Sequence, residues 1–171
     1  MKSIKNIALS AFLTVSAFGA VLYTSCTKDE CKDVVCQNGG TCSGGTCTCA
    51  TGYEGTNCET ASRDKFIKTW TASDKEATTT TTLPTYTSGI IGGAGITEIK
   101  ISKFSDAYFT NDVVATVKGN VATIASQQPD NDGYYVTTGT GTYDATTKKI
   151  TWSYTLKNPA GAEKSYTGTW Q

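Results

Sequence analysis

Six of the chain's seven cysteines crowd into residues 31–58, spaced C-x4-C-x5-C-x4-C-x-C-x8-C. No other feature constrains folding as much. So short a stretch cannot bury an adequate apolar core, and it needs covalent or metal staples. A zinc site is the rival to disulfides, but the chain has no histidine and a secretory leader precedes the block, which implies an oxidising compartment. Disulfides are therefore expected at Cys31, Cys36, Cys42, Cys47, Cys49 and Cys58. Spacing alone does not choose among the possible pairings. Asn38-Gly39 is a strong tight-turn dipeptide, and Ser43-Gly44-Gly45 lies between two Thr-Cys pairs. Together they predict a small hairpin with cysteines on both arms.

Cys47-Thr48-Cys49, followed by Gly52-Tyr53, Gly55 and Cys58, resembles the C-terminal half of an EGF-like domain. The resemblance implies the pairing Cys31–Cys42, Cys36–Cys47 and Cys49–Cys58. The calcium-binding members of that family carry an acidic residue, then an acidic or amide residue, then Glu or Gln just before the first cysteine, where Thr27, Lys28, Asp29 and Glu30 stand here. Thr27 stands in place of the outermost acid, and the loop between the third and fourth cysteines is only Ser-Gly-Gly-Thr. Calcium needs six to eight oxygens, roughly, so no metal site is expected.

The N-terminus reads as an export signal. Lys2 and Lys5 are followed by an apolar run over residues 7–22 that is interrupted by Ser10, Thr14, Ser16 and Gly19. A spanning helix needs about twenty apolar residues, so this run fits a signal-peptide core over residues 1–25. Cys26 follows directly, after the small Ser25. The arrangement resembles a bacterial lipobox of the loose Bacteroidetes kind and implies acylation of Cys26. Cysteine parity agrees, because Cys26 is the odd one out. Residues 26–30 then form a lipidated linker, and Thr27-Lys28-Asp29-Glu30 resembles the surface-export signal of Bacteroidetes lipoproteins. A membrane partner through Cys26 and an outer-membrane, cell-surface location follow as expectations. Without Lys2 and Lys5 the 15 basic residues fall to 13 against 15 acidic ones, a net charge of about −2. Nucleic acid, which needs a concentrated basic face, is not an expected partner.

The EGF-like domain is assigned to residues 27–59, with a polar joint at residues 59–62. Residues 63–171 contain no cysteine and are rich in Thr, Gly, Tyr and Val. Ile150, Trp152, Tyr154 and Leu156 alternate with polar residues, as do Tyr166, Gly168 and Trp170, and this period-two pattern marks strands. Strands are expected over 64–72, 76–83, 96–104, 107–118, 121–127, 134–143, 149–157 and 163–170. The second takes in the threonine tract 78–82 as an exposed strand. Close-set turns such as Lys118-Gly119-Asn120 favour sequential hairpins. The fold class is thus mainly β, a disulfide-rich EGF-like module before an antiparallel up-and-down barrel of about eight strands, with a β-sandwich as the alternative. Segments 65–70, 139–144 and 150–154 give this part a resemblance to lipocalin-like β-domains.

With no histidine, Ser-His-Asp and Cys-His arrangements and His-ligated metals are excluded. Asp130 and Asp132 form an acid pair, but Asp130-Asn131-Asp132-Gly133 reads as turn chemistry. No catalytic residue, cofactor or metal is assigned. The expected function is a displayed binding or interaction domain, with a protein, glycan or small apolar ligand as partner. The alternative is a lipocalin-like carrier of a small apolar molecule. Gly139, Gly141 and Gly168 hint at an emptied interior, and Trp152, Tyr154 and Trp170 at a filled one. Residues 130–135 are the loop expected to meet a partner.

Overall fold

The computed structural model of the chain describes residues 30–79 and 82–171. The leader, Cys26 and most of the expected linker lie outside the described residues, as do Thr80 and Thr81.

Three bridges hold the first unit: Cys31 to Cys42, Cys36 to Cys47 and Cys49 to Cys58. Asn38 and Gly39 both take positive φ, 50° and 76°, and the Gly40 amide donates to the Gln37 carbonyl at 2.9 Å. That turn is open to Asn and Gly because neither pays the full steric penalty of a left-handed backbone. Strands β1 (Thr41–Ser43) and β2 (Thr46–Thr48) then pair with Cys42 directly opposite Cys47. A second short ladder joins β3 (Tyr53–Glu54) to β4 (Thr60–Ala61). The segment 59–62 is therefore no joint. Ala61 faces Tyr53 across that ladder, and the buried Ser62 donates its amide to the Gly52 carbonyl at 2.8 Å. Among the described residues before Phe66, Cys58 is the one apolar residue that is fully buried.

The rest is a closed antiparallel barrel of eight strands. They are β5 (Thr69–Glu76), β6 (Tyr86–Gly92), β7 (Glu98–Ser102), β8 (Val113–Lys118), β9 (Val121–Ile124), β10 (Tyr135–Asp144), β11 (Lys149–Lys157) and β12 (Glu163–Trp170). Each pairs with its neighbour in sequence, and β12 returns to pair with β5, so no sheet edge is left open. The alternating residues decide which face is inside. Ile150, Trp152, Tyr154 and Leu156 of β11 are all buried, while Thr151 and Ser153 are exposed.

Two expected strands move. Residues 63–67 form successive tight turns, with the Phe66 amide bonded to the Arg63 carbonyl at 2.9 Å and the Ile67 amide to that of Asp64 at 3.2 Å. These turns tuck Phe66 under the barrel, fully buried. Of the expected strand over 76–83, the described residues after Glu76 form no ladder strand either. Ala77 and Thr78 turn away, and Thr82 makes only an isolated bridge to Lys75. Threonine suits a pleated surface, but a tract of threonine alone has no apolar side to bury. The strand forms instead at Tyr86–Gly92, where Tyr86, Ser88 and Ile90 turn inward.

The barrel's two ends differ. At the near end, the β6–β7, β8–β9 and β10–β11 connections are short, and the disulfide unit rests there. Arg63 Nη1 donates to the carbonyls of Gly93, Gly95 and Glu98. Lys65 Nζ lies 2.7 Å from the Glu54 carboxylate and 2.7 Å from Asn120 Oδ1. Gly52 sits so close to the β6–β7 loop that a Cβ there would fall 2.8 Å from Ile96 Cγ2. The longer connections, over residues 77–85, 103–112, 125–134 and 158–162, gather at the far end.

Candidate functional site

A barrel of this size either fills with side chains or holds one small ligand. This one is filled. Trp70, Trp152, Trp170, Tyr154, Phe66, Phe104 and Phe109 are all buried inside or against it. The inward glycines take up that bulk and do not empty the interior. A Cβ on Gly141 would stand 2.7 Å from the Trp152 indole, which faces it across the β10–β11 ladder. A Cβ on Gly139 would stand 2.8 Å from Ile124 Cδ1.

At the centre is a residue that the sequence reading passed over. Asp74 is an inward residue of β5 and is fully buried. Its carboxylate accepts hydrogen bonds from Tyr86 Oη at 2.5 Å, Tyr154 Oη at 2.6 Å and Trp170 Nε1 at 3.0 Å. Gly168 lies directly opposite in the β5–β12 ladder, and the Asp74 carboxylate occupies the space that a Cβ there would need. Burial, and after it the adjacent Asp74 carboxylate, pushes the Tyr86 and Tyr154 phenols well above the usual tyrosine range. Both therefore stay protonated and keep donating. A buried carboxyl without partners would cost several kcal/mol, roughly, and three donors offset that. Sealed from solvent and fully engaged, Asp74 is placed for structure, not for chemistry on a substrate. The signal was present in the alternation Trp70, Ala72, Asp74, but the strand expected over 64–72 stops short of it.

The far end is plugged by the β7–β8 connection. Phe104 inserts with its ring centroid 4.6 Å from that of Tyr154, 5.8 Å from Trp152 and 6.0 Å from Trp170. Phe109 is buried as well, and the Ser105 hydroxyl lies 3.1 Å from Tyr154 Oη, whose one hydrogen is given to Asp74, so Ser105 donates to it. Between the two rings, Ser105, Asp106 and Ala107 take left-handed φ of 54°, 57° and 59°. Each such residue costs about 1–2 kcal/mol relative to the right-handed form, so the burial of two phenylalanines outweighs local preference.

Over the plug lies an open hollow of about 360 Å³, lined by Tyr108, Tyr134, Leu156, Asn158, Ala162, Lys164 and Tyr166. Tyr108 is 40% exposed. Its ring meets Tyr134 edge-on at 5.3 Å and the buried Phe109 at 5.1 Å. Tyr166 stacks on Tyr154 at 5.3 Å, with planes 16° apart. Partial burial, then Tyr134, Tyr166 and Asp132, raise the Tyr108 phenol.

Asp130 is spent within the protein. Its carboxylate accepts the amides of Thr110 and Asn111, each at 2.8 Å, and so clamps the β7–β8 loop to the β9–β10 loop. Those two amides hold its carboxyl below the usual range. Asp132 Oδ1 accepts the Tyr134 amide at 3.0 Å, a local turn bond. Of the expected partner loop, residues 130–135, only Tyr134 lines the hollow. Among the described residues no group of three or more Cys, Asp or Glu could hold a metal ion, and no helix is long and apolar enough to cross a membrane. Set against protein-family models, curated proteins and solved structures, the chain matches none.

Proposed function

We propose that the protein is a cell-envelope lipoprotein, anchored through Cys26 at the outer membrane and facing the cell surface. In this reading an EGF-like unit over residues 27–59 serves as a pedestal. The barrel is a binding or interaction domain without catalysis, and its working surface is the far rim. One observation carries the proposal. The disulfide unit occupies one end of the barrel, the interior is packed, and the open, aromatic hollow lies at the other end. A pedestal on the membrane side would hold that hollow outward. The absence of histidine from the sequence leaves few routes to nucleophilic or metal-assisted chemistry. The packed interior favours this over the lipocalin-like carrier, whose cargo would need the space that Phe104 and Trp152 fill.

The test has two arms on the full chain expressed in an exporting Bacteroidetes host. Cys26→Ala should move the protein from the membrane to the soluble fraction, and a mutant that stays with the membrane removes the anchor. Mass spectrometry of the purified protein should find no stoichiometric apolar small molecule. Recovery of one would transfer the reading to the carrier.

A further inference from the structure

We infer that the hollow at the far rim takes one ring of a neutral saccharide. The inference rests on the binding-module reading and names its ligand. Tyr108, Tyr134 and Tyr166 each line the hollow, so it offers apolar ring surface. Among the described residues, no protein hydrogen bond engages the hydroxyls of these three tyrosines. The Asn158 amide oxygen accepts the Ala162 amide at 2.9 Å, which leaves its Nδ2 hydrogens to be given elsewhere. A good ligand must therefore combine flat apolar faces with a hydroxyl-bearing edge. A pyranose does, because its axial C–H bonds form the faces and its equatorial hydroxyls form the rim. An aliphatic chain would cover the tyrosines and leave the polar groups unpaired.

Charge narrows the class further. Lys164 is the one formally charged residue lining the hollow, and its Nζ lies 3.2 Å from the Glu76 carboxylate. The Asp132 carboxylate on the β9–β10 loop is near enough to help raise the Tyr108 phenol, after burial, Tyr134 and Tyr166. No cation is spare for an acidic sugar, and an acid stands nearby to disfavour one. The platform is also preformed. Tyr166 rests on Tyr154, which Asp74 and Ser105 fix through its hydroxyl. Tyr108 leans on the buried Phe109. Rings already in position lose little freedom when a ligand arrives. About 360 Å³ is small for a ligand site and suits one ring with its flanking water.

The experiment titrates the full chain, in detergent, with the methyl glycosides of glucose, galactose, mannose and N-acetylglucosamine. N-acetylneuraminic acid and sodium laurate serve as controls, and saturation-transfer NMR is the readout. At least one neutral glycoside should bind, with saturation strongest on its axial C–H protons. Tyr108→Ala and Tyr134→Ala should each weaken binding about tenfold, and Tyr108→Phe should retain most of it. Because these residues sit on the rim, thermal melts of the variants check that the barrel remains folded. If no neutral glycoside binds, or if binding ignores Tyr108→Ala in a folded variant, the inference is overturned. Tyr108-dependent binding of laurate alone would overturn it too, yet would leave the rim as the binding surface. Binding of laurate that both tyrosine variants leave unchanged would sink the rim reading itself.

Discussion

The disulfide unit and the barrel solve the same problem by opposite means. The first has three covalent links and, among its described residues, one fully buried apolar residue, Cys58. The second has no cysteine and a contiguous core of three tryptophans, several other aromatics and branched aliphatics. Short-loop bridges such as these stabilise chiefly by restricting the unfolded chain, at roughly 2–4 kcal/mol each. The barrel draws on burial, at about 25 cal/mol for each Å² of apolar surface removed from water. The difference teaches where each is vulnerable: one to reductant, the other to anything that disturbs a buried contact.

The largest expected effect comes from reduction. Dithiothreitol should unfold residues 30–62 and leave the barrel's cooperative melt in place, as read by near-ultraviolet circular dichroism of the buried tryptophans. The Lys65–Glu54 pair would be lost with the unit, but the core does not depend on it. Loss of the barrel transition on reduction would erase the contrast. Next in size is Asp74→Ala. It strands Tyr86, Tyr154 and Trp170 as buried donors, and the barrel should lose about 3–5 kcal/mol by denaturant titration. The bridges should still form, as judged by non-reducing mass analysis. A loss below about 1 kcal/mol would show that the Asp74 cluster is incidental. Smaller again is the response to alkali. Tyr86 and Tyr154 have raised folded-state values against an ordinary 10.0. Their contribution is whole below about pH 10 and is lost above it, because the unfolded chain gives up protons that the folded barrel keeps. Two such groups steepen the loss to about 2.7 kcal/mol per pH unit. Urea midpoints at pH 9 and pH 11 test this, and equal values would contradict it.

Much of this was written in the chain. The cysteine spacing announced a stapled unit, and Tyr135–Asp144, Lys149–Lys157 and Glu163–Trp170 follow the alternation closely. Sequential hairpins pointed to an up-and-down barrel, which is what the ladders form. What stayed hidden depends on contacts distant in sequence. Whether Gly141 empties or accommodates can be decided only once Trp152 is known to lie opposite. The strands expected over 96–104 and 107–118 leave only residues 105–106 between them, yet β7 ends at Ser102, β8 begins only at Val113, and the backbone between turns left-handed to send Phe104 and Phe109 into the mouth. The hollow above it draws on three loops and the ends of two strands, so no single stretch reveals it. Asp130 looked like turn chemistry, and its clamp on Thr110 and Asn111 adds a long-range partner that composition cannot announce.

The match of Gly141 to Trp152, and of Gly168 to Asp74, carries a consequence for how such a protein can change. Each bulky interior group is fitted to a missing side chain across the ladder, so neither member can vary alone. Enlarging a glycine collides with its partner, and trimming the partner leaves a void, so a viable change needs both at once. The interior is therefore a slow-changing frame. Tyr108, Tyr134 and Asn158 at the far rim are not fitted to a glycine across a ladder in this way, so they are free to be exchanged one by one. A lineage built on this frame would diversify what it recognises at the rim while the barrel beneath stayed fixed.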